Sequence, residues 1–178
     1  AILAGLESVI DYIQNLKFSK EDMEYLRGKK IFSEGFLNYL ENFKFTSSIY
    51  AMEEGTPIFP NEPIFVIKGP LIECQLIETM VLLSYNHQSL IATKASRIVR
   101  EAKGRAVLEF GARRAHSYDA AVIGARSAYI GGVIGTSNTL SDKFYGIPAL
   151  GTMAHSYVQS FDNEYDAFRA YAEAFPSD

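Results

Sequence analysis

Apolar and polar positions alternate along the first 40 residues with the period of an α-helix. Apolar residues at positions 6, 9, 10, 13 and 16 share one helix face and predict a first amphipathic helix. Ser19 and Asp22 have the spacing of a capping box, which predicts a second, short helix that ends at Gly28. An apolar cluster at residues 36–40 predicts a third helix.

The pattern changes after residue 44 to short apolar runs that are separated by glycine, proline and asparagine. Turn residues at such short intervals are typical of small antiparallel strands. Strands are predicted at residues 45–51, 57–59 and 64–68. We assign residues 1–70 to a small α+β auxiliary domain whose role is packing.

Residues 71–103 return to helical spacing and predict two helices with a break near residues 85–88. Leu76, Met80 and Leu83 are expected to form the core-facing stripe of the first of these helices.

Strands and helices then alternate to the end of the chain. Strands are predicted at residues 106–110, at residues 133–135 and in an apolar run that ends at Thr152. Helices are predicted between them, and a last helix at residues 162–175. This order predicts parallel strands joined by right-handed crossovers, in an α/β unit formed by residues 71–178.

Polar side chains follow each of the three predicted parallel strands. They are Arg113, Arg114 and His116 after the first strand, Ser137 and Asn138 after the second, and Thr152 and His155 at the third. Because the carboxyl ends of parallel strands meet at one edge of a sheet, we expect these groups to form one active-site rim.

Composition and charge exclude several classes of protein. The net charge of −4 argues against general nucleic-acid binding, which requires a basic face. No apolar run is long enough for a membrane span, and no zinc-ligand spacing or P-loop is present. Cys74 is the only cysteine, so the chain has no internal disulfide, which fits a reducing cytoplasm.

A series of short motifs stands in one order in the second half of the chain. The motifs are EFGARRAH (109–116), DAA (119–121), GARSAYIGG (124–132), GTSN (135–138), GIP (146–148) and GTMAHS (151–156). Their succession resembles nicotinate phosphoribosyltransferase, continuously from about residue 85 to residue 176 and more weakly before that. Thr139, Ser141 and Asp142 depart from the family pattern, because smaller or apolar residues are expected after GTSN.

The resemblance implies the funnel-shaped barrel of type II phosphoribosyltransferases. Residues 71–178 would form its first part, a partial (β/α) barrel preceded by the auxiliary domain. The family's tyrosine-bearing N-terminal segment and its later barrel strands are not found, so we expect a fragment that is inactive alone.

The resemblance also implies a reaction. Phosphoribose is transferred from phosphoribosyl pyrophosphate to nicotinate, with coupled ATP hydrolysis, Mg²⁺ as the metal and a homodimeric enzyme of NAD salvage. No residue of this chain is predicted to bind a metal ion.

The phosphate groups of the donor require several cationic groups that converge. Arg113 and Arg114 fit because the guanidinium fork binds phosphate oxygens in pairs, with Arg113 favoured. The alternative is an ion pair with Glu109 or Asp119. Two roles remain for three further side chains: each binds phosphate or lies at an ordinary solvated position. These side chains are Lys94, Arg97 and His116.

The flat, anionic acceptor requires an aromatic face and hydrogen-bond donors. Phe110 at a strand end fits the first need, although it equally fits a core position. In related nicotinamide enzymes an acidic residue follows Gly-Thr, and here Ser137 donates to a carboxylate without repelling it. By resemblance, Asn138 and Thr152 complete the substrate contacts.

Three roles are open for His155: a structural histidine, a metal ligand, or the nucleophile that ATP phosphorylates. Metal ligation lacks a paired ligand nearby. A neutral imidazole is a competent nucleophile, and the family resemblance implies this third role.

Two other functions remain as alternatives. The first is a phosphoribosyltransferase that uses nicotinamide or quinolinate. The second is a non-catalytic paralogue that acts as an assembly subunit. A generic phosphate-binding barrel enzyme is less favoured, because it would not explain residues 151–156.

Overall fold

The computed structural model describes residues 1–176, which form a mixed α/β structure, as predicted. The elements in chain order are α1 (Leu6–Asn15), α2 (Lys20–Gly28), α3 (Glu34–Glu41), β1 (Ser48–Ala51), β2 (Phe65–Lys68), α4 (Leu71–Glu101), β3 (Leu108–Glu109), a 3-10 turn (Ala112–Arg114), α5 (Tyr118–Ile130), β4 (Gly135–Thr136), α6 (Thr139–Tyr145), α7 (His155–Val158) and α8 (Glu164–Ala174).

The capping box before α2 forms as the sequence predicts. The Asp22 backbone N–H donates to Ser19 Oγ at 3.1 Å, and the Ser19 backbone N–H donates to Asp22 Oδ2 at 2.7 Å. Two of the orphan N–H groups at this helix start are therefore satisfied. The Ser19 hydroxyl also donates to Asp22 Oδ2, at 2.6 Å, and together with the Ser19 N–H it holds the pKa of the Asp22 carboxyl below its usual value.

The β-rich segment forms one antiparallel hairpin, β1 with β2, in which Ile49 pairs with Ile67. The strand predicted at residues 57–59 is wrong. It is reduced to a single bridge between Pro57 and Ile2, since proline has no N–H to donate to a ladder. The adjacent Ala1 and Ile58 exchange backbone hydrogen bonds and fix the start of the chain on this segment.

Helix α4 is continuous for 31 residues, so the predicted break near residues 85–88 is wrong. This segment contains neither glycine nor proline, and Tyr85 and Gln88 are buried against the N-terminal part of the chain. The face of α4 that packs into the core also differs from the predicted one. Leu83 is 60% exposed, whereas Ile77 and Val81 are buried in the core with Val9 and Ile13 of α1.

Glu73 is an acidic residue that is only 2% exposed, in the first turn of α4. Its carboxylate accepts four hydrogen bonds, from the backbone N–H and hydroxyl groups of Thr46 and Ser47, at 2.7–2.8 Å. Burial acts to raise the pKa of Glu73, but the four donors outweigh it and the pKa lies below its usual value. The start of α4 is thereby fixed to the strand that follows residue 47.

The predicted parallel arrangement is confirmed for the second half of the chain. Leu108 and Glu109 of β3 pair in parallel with Gly135 and Thr136 of β4. The third predicted strand, ending at Thr152, is wrong in extent: a single parallel bridge joins Ala149 to Thr136. Among the described residues, nothing pairs with the backbone of residues 151 and 152, so the ladder ends there.

A largely buried ion pair joins the two halves of the chain, with the side chains of Arg126 and Glu54 12% and 15% exposed. Arg126 of α5 donates twice to Glu54, at 3.1 and 2.6 Å, and also binds Glu7 of α1. Glu54 additionally accepts from the backbone N–H groups of Gly5 and Leu6 at the start of α1, at 2.5 and 3.1 Å. Burial opposes both charges, yet these contacts lower the pKa of Glu54 and raise that of Arg126. The hairpin, α1 and α5 therefore meet at one carboxylate.

Gly5 has a conformation and a setting that exclude a side chain. Its φ is 121°, and a Cβ there would lie 2.7 Å from the carbonyl oxygen of Ser84. We predict that Gly5→Ala destabilises the protein by about 2 kcal/mol or more, because backbone strain and the close contact add. Chemical denaturation of the purified variant measures this.

The matched control is Gly28→Ala, at the last residue of α2, where a Cβ would meet nothing within 4 Å. Alanine is the better helix former, so this variant is expected to be neutral or slightly stabilising. Equal stability of the two variants would contradict the assigned role of Gly5.

Glu73 predicts a pH dependence of stability. Its folded pKa is depressed from 4.5, so its stabilising contribution is present above about pH 4.5 and is lost as the pH falls through the folded pKa. Glu73→Gln offers one acceptor oxygen to four donors, and we expect it to destabilise the protein at pH 7 by about 2 kcal/mol.

The difference in unfolding free energy between wild type and Glu73→Gln should narrow between pH 5 and pH 3, as measured by urea titration at each pH. Glu78→Gln, at an exposed position on the same helix, is the control and should show little effect. A difference that stays constant over this range would refute the role given to the Glu73 carboxylate.

Candidate active site

The loops that follow the three parallel segments leave the sheet at the same edge. Residues 110–114 follow β3, residues 137–138 follow β4, and residues 150–155 follow the bridge at Ala149. The segments that carry the three predicted groups of polar residues therefore begin at one edge of the sheet, here called the rim. Every predicted site residue on it is exposed except Asn138, which is half-buried.

The loop after β3 turns directly into the 3-10 turn that carries Arg113 and Arg114. The segment Ala112–Arg114 is helical because Arg114 N donates to the carbonyl of Gly111 at 2.8 Å. Both arginines are exposed, and neither forms the alternative ion pair with Glu109 or Asp119 within the described residues. His116 lies exposed just before α5.

Phe110 and Lys94 line the same cavity, about 510 Å³ in volume, between α4, β3 and α5. Phe110 is 42% exposed, so it is not the fully buried core residue that the sequence left open. Arg97, one turn after Lys94 on α4, is exposed on the helix surface. A cation and an aromatic face therefore lie together beside the first strand of the rim.

The loop after β4 places Ser137 and Asn138 at a second cavity, of about 400 Å³, beside residues of α5 and the start of α6. Asn138 is the N-cap of α6: its side-chain oxygen accepts from the Leu140 N–H at 3.1 Å. Ser137 is exposed, and its backbone N–H donates to the Glu109 carbonyl at 3.0 Å. The hydroxyl of Ser137 is thus presented to solvent at the rim.

Thr152 and His155 lie beyond the bridge at Ala149, and both are exposed. His155 is the first residue of the short helix α7. No hydrogen bond or ion pair within the described residues engages its imidazole, so a satisfied structural histidine is disfavoured. Within residues 1–176, no group of three or more His, Cys, Asp or Glu side chains is arranged so that it could hold a metal ion.

Sequence reasoning missed two residues at the rim, Glu109 and Thr136. Thr136 is fully buried, and its hydroxyl donates to Glu109 Oε2 at 2.8 Å. They are register partners in the parallel ladder. The only signal in the sequence was that each immediately precedes a residue given a role in binding, Phe110 and Ser137.

Two residues that depart from the expected pattern have structural roles in helix α6. Ser141 is fully buried and donates to the carbonyl of Val122 in α5 at 3.2 Å. Asp142 accepts from the Ala149 N–H at 3.3 Å. These polar groups join α6 to α5 and to the segment at Ala149. Thr139, the first residue of α6, is exposed.

Among residues 1–176, no helix has both the length and the apolar character that a membrane crossing requires.

Comparison with known proteins identifies the class to which this fold and rim belong. A profile of the nicotinate phosphoribosyltransferase (NAPRTase) N-terminal domain matches residues 1–86, and one of the NAPRTase family matches residues 106–175. Nicotinate phosphoribosyltransferase pncB2 of Mycobacterium tuberculosis is 49% identical over 174 residues, 98% of this chain and 38% of the relative. The Bacillus subtilis nicotinate phosphoribosyltransferase is 49% identical over 173 residues, 97% of this chain and 35% of the relative.

A solved structure of a protein with the same family name also matches this chain. Human nicotinic acid phosphoribosyltransferase matches with a TM-score of 0.83 and 32% identity, over 90% of this chain and 33% of the human one. The chain belongs to the nicotinate phosphoribosyltransferase family, and it spans between a third and two fifths of the length of these relatives.

Proposed function

We propose that the protein containing this chain transfers phosphoribose from phosphoribosyl pyrophosphate to nicotinate. The ring nitrogen of nicotinate would replace pyrophosphate at the anomeric carbon, giving nicotinate mononucleotide for NAD salvage. The observation that carries this proposal is the shared rim. Three segments that contain family motifs leave the parallel ladder there, at the same edge. The membership of the family supports the choice of substrates.

The proposed architecture is a closed barrel, of which β3, β4 and the segment at Ala149 are the first strands. Leu108 and Leu150 both lie against Gly135 on one face of this ladder and are exposed, which is consistent with a face that further strands cover. Residues 1–70 are the proposed auxiliary domain and residues 71–178 the barrel part. The last two residues, 177–178, lie outside the described part of the chain.

In this proposal Arg113 binds the donor's phosphate oxygens, with Arg114, Lys94, Arg97 and His116 contributing to the positive field around them. Within residues 1–176 no carboxylate pairs with the exposed guanidinium groups of Arg113, Arg114 and Arg97, which supports the assignment. The transition state would be oxocarbenium-like, so catalysis depends mainly on positioning and charge stabilisation.

Nicotinate would stack on the half-exposed ring of Phe110 and receive a hydrogen bond on its carboxylate from Ser137. Asn138 and Thr152 complete the proposed contacts. The exposed serine hydroxyl at the rim supports a carboxylate over a carboxamide ligand, because it donates without adding a like charge.

His155 would act as a nucleophile toward ATP. An imidazole nitrogen attacks the γ-phosphorus, the bond to ADP breaks, and later hydrolysis of the phosphohistidine to phosphate drives transfer toward product. The unengaged, exposed imidazole supports this role.

Mg²⁺ would accompany the donor. The described residues contain no carboxylate cluster for a protein cage, and Mg²⁺ at phosphate sites usually keeps several waters and binds substrate oxygens. We therefore assign it to the pyrophosphate, where it neutralises negative charge. We further propose a cytoplasmic homodimer, with the remaining site residues supplied by sequence outside this chain, so that the chain alone is inactive.

Ser137→Asp tests the choice of acceptor. The new carboxylate would repel that of nicotinate, so we expect kcat/KM for nicotinate to fall about 100-fold, a change of a few kcal/mol, with a much smaller effect for nicotinamide. Steady-state assays of mononucleotide formation with both substrates measure this in the full-length protein.

Ser137→Ala is the matched control, because it removes the donor without adding charge and should cost about 10-fold or less. An unchanged preference between the two substrates in Ser137→Asp would contradict the proposed contact. Wild-type turnover with nicotinamide or quinolinate alone would favour the alternative phosphoribosyltransferases.

His155→Ala tests the coupling to ATP. We expect it to abolish labelling of the full-length protein by γ-phosphoryl-labelled ATP and the stimulation of turnover by ATP, while transfer without ATP persists. Phosphoprotein labelling and ATP titration of the assay measure both effects.

His116→Gln, at an exposed histidine on the same rim, should keep the label and is the control. Label retained in His155→Ala would overturn the assignment. A wild-type protein with neither label nor turnover would favour the non-catalytic assembly subunit.

A further inference from the structure

We infer that Glu109 and Thr136 form a positioning pair, which holds the donor-binding and acceptor-binding loops of the rim at a fixed separation. The inference rests on the proposed function, because it concerns how residues 110–114 and 137–138 are presented to the substrates. Neither residue is assigned a contact with substrate.

A continuous chain of hydrogen bonds connects the two loops through this pair. The Gly111 N–H donates to Glu109 Oε1 at 2.5 Å, and the Thr136 hydroxyl donates to Glu109 Oε2 at 2.8 Å. The Asn138 N–H donates in turn to Thr136 Oγ1 at 3.1 Å. The first backbone group belongs to the arginine-bearing loop and the last to the loop with Ser137, so movement of either loop breaks this connection.

The chemistry of the connection requires these two side chains. A hydroxyl has one proton, which Thr136 gives to Glu109, and its lone pairs remain for the Asn138 N–H. Glu109 receives two donors, and only a carboxylate presents an acceptor oxygen to each. Glutamine would turn an NH₂ group toward one of those donors, and valine in place of Thr136 would leave the Asn138 N–H without its partner.

The pair lies on the side of the ladder that faces the helices. Leu108 and Leu150 lie against Gly135 on one face, and because side chains alternate along a strand, Glu109 and its register partner Thr136 point the other way. Glu109 lines a cavity of about 160 Å³ together with residues of α4 and α5, and it also lines the cavity of about 510 Å³ that Lys94 and Phe110 share. Thr136 is fully buried. The pair therefore acts from behind the rim loops.

Gly111 shows how close the fit is at this place. A Cβ at Gly111 would lie 2.8 Å from Glu109 Oε1, so a side chain at this position would displace the carboxylate from its present place. The loop that presents Phe110 and Arg113 is thus held directly against Glu109.

The test compares Thr136→Val, which keeps shape and removes the hydroxyl, with Thr136→Ser, which keeps the hydroxyl and loses the methyl group, in the full-length protein. Loss of alignment at a reacting centre costs about 10- to 100-fold in rate. We expect that loss in kcat/KM for Thr136→Val, mainly in kcat, and near wild-type values for Thr136→Ser. Rescue by serine separates positioning from packing, since serine makes the larger cavity.

Amide hydrogen exchange provides a readout that needs no turnover. The Asn138 N–H should exchange at least 10-fold faster in Thr136→Val than in wild type or Thr136→Ser. If Thr136→Val does not fold, Glu109→Gln replaces it, with a smaller loss of kcat/KM and faster exchange at Gly111 or Asn138. Ser141→Ala, which removes another fully buried hydroxyl, is the control and should keep kcat/KM.

Wild-type kcat/KM in Thr136→Val, equal losses in the two threonine variants, or unchanged exchange at Asn138 would each overturn the inference. A wild-type protein without nicotinate transfer would sink the proposed function separately. In that case the exchange rates alone decide whether the pair holds the loops: faster exchange confined to Thr136→Val supports it, and equal rates overturn it.

Discussion

The ion pair between the largely buried side chains of Glu54 and Arg126 is the constraint on which the arrangement of the whole chain depends. Two charges that are largely removed from water are tolerated only when each is fully partnered. Here Glu54 accepts hydrogen bonds from the start of α1 and from Arg126. Arg126 also binds Glu7, and its Cζ lies 5.6 Å from the centroid of the Tyr145 ring. Helix α1, the connection between β1 and β2, and helix α5 are far apart in sequence, and these contacts hold them together. The parallel ladder and its rim are placed relative to the N-terminal half through α5, which carries Arg126.

The rim follows from this framework by simple geometry. Helix α4 supplies a long rigid support, α5 packs along it, and the parallel pairing of β3 with β4 turns two loops toward the same side. The backbone bonds of Thr136 to Pro148 and Leu150 bring the third loop beside them. Exposed cationic, hydroxyl and imidazole groups follow this edge because the segments that carry them leave all three parallel segments there.

The sequence predicted much of this fold because local signals were strong. The caps of α2 and the helical period of α1 depend on neighbouring residues, and the order of strands and helices dictated parallel pairing. The errors lie where tertiary contacts decide. Helix α4 continues through residues 85–88 because they are buried against the N-terminal segment, and the strand before Thr152 shrinks to one bridge for want of a further pairing partner.

By itself the sequence determined which residues are available for chemistry and that they follow strand ends, since motif order and residue type are properties of the chain. Only the tertiary structure decided which of them meet. It placed Lys94 of α4 beside Phe110, and it revealed Glu109 and Thr136, whose partnership spans 27 residues and has no local signature. Glu54 and Arg126 are 72 residues apart, so no local sequence pattern indicates that they pair. Local propensity acts over a few residues, whereas hydrogen bonds between distant side chains exist only after the backbone has brought them together.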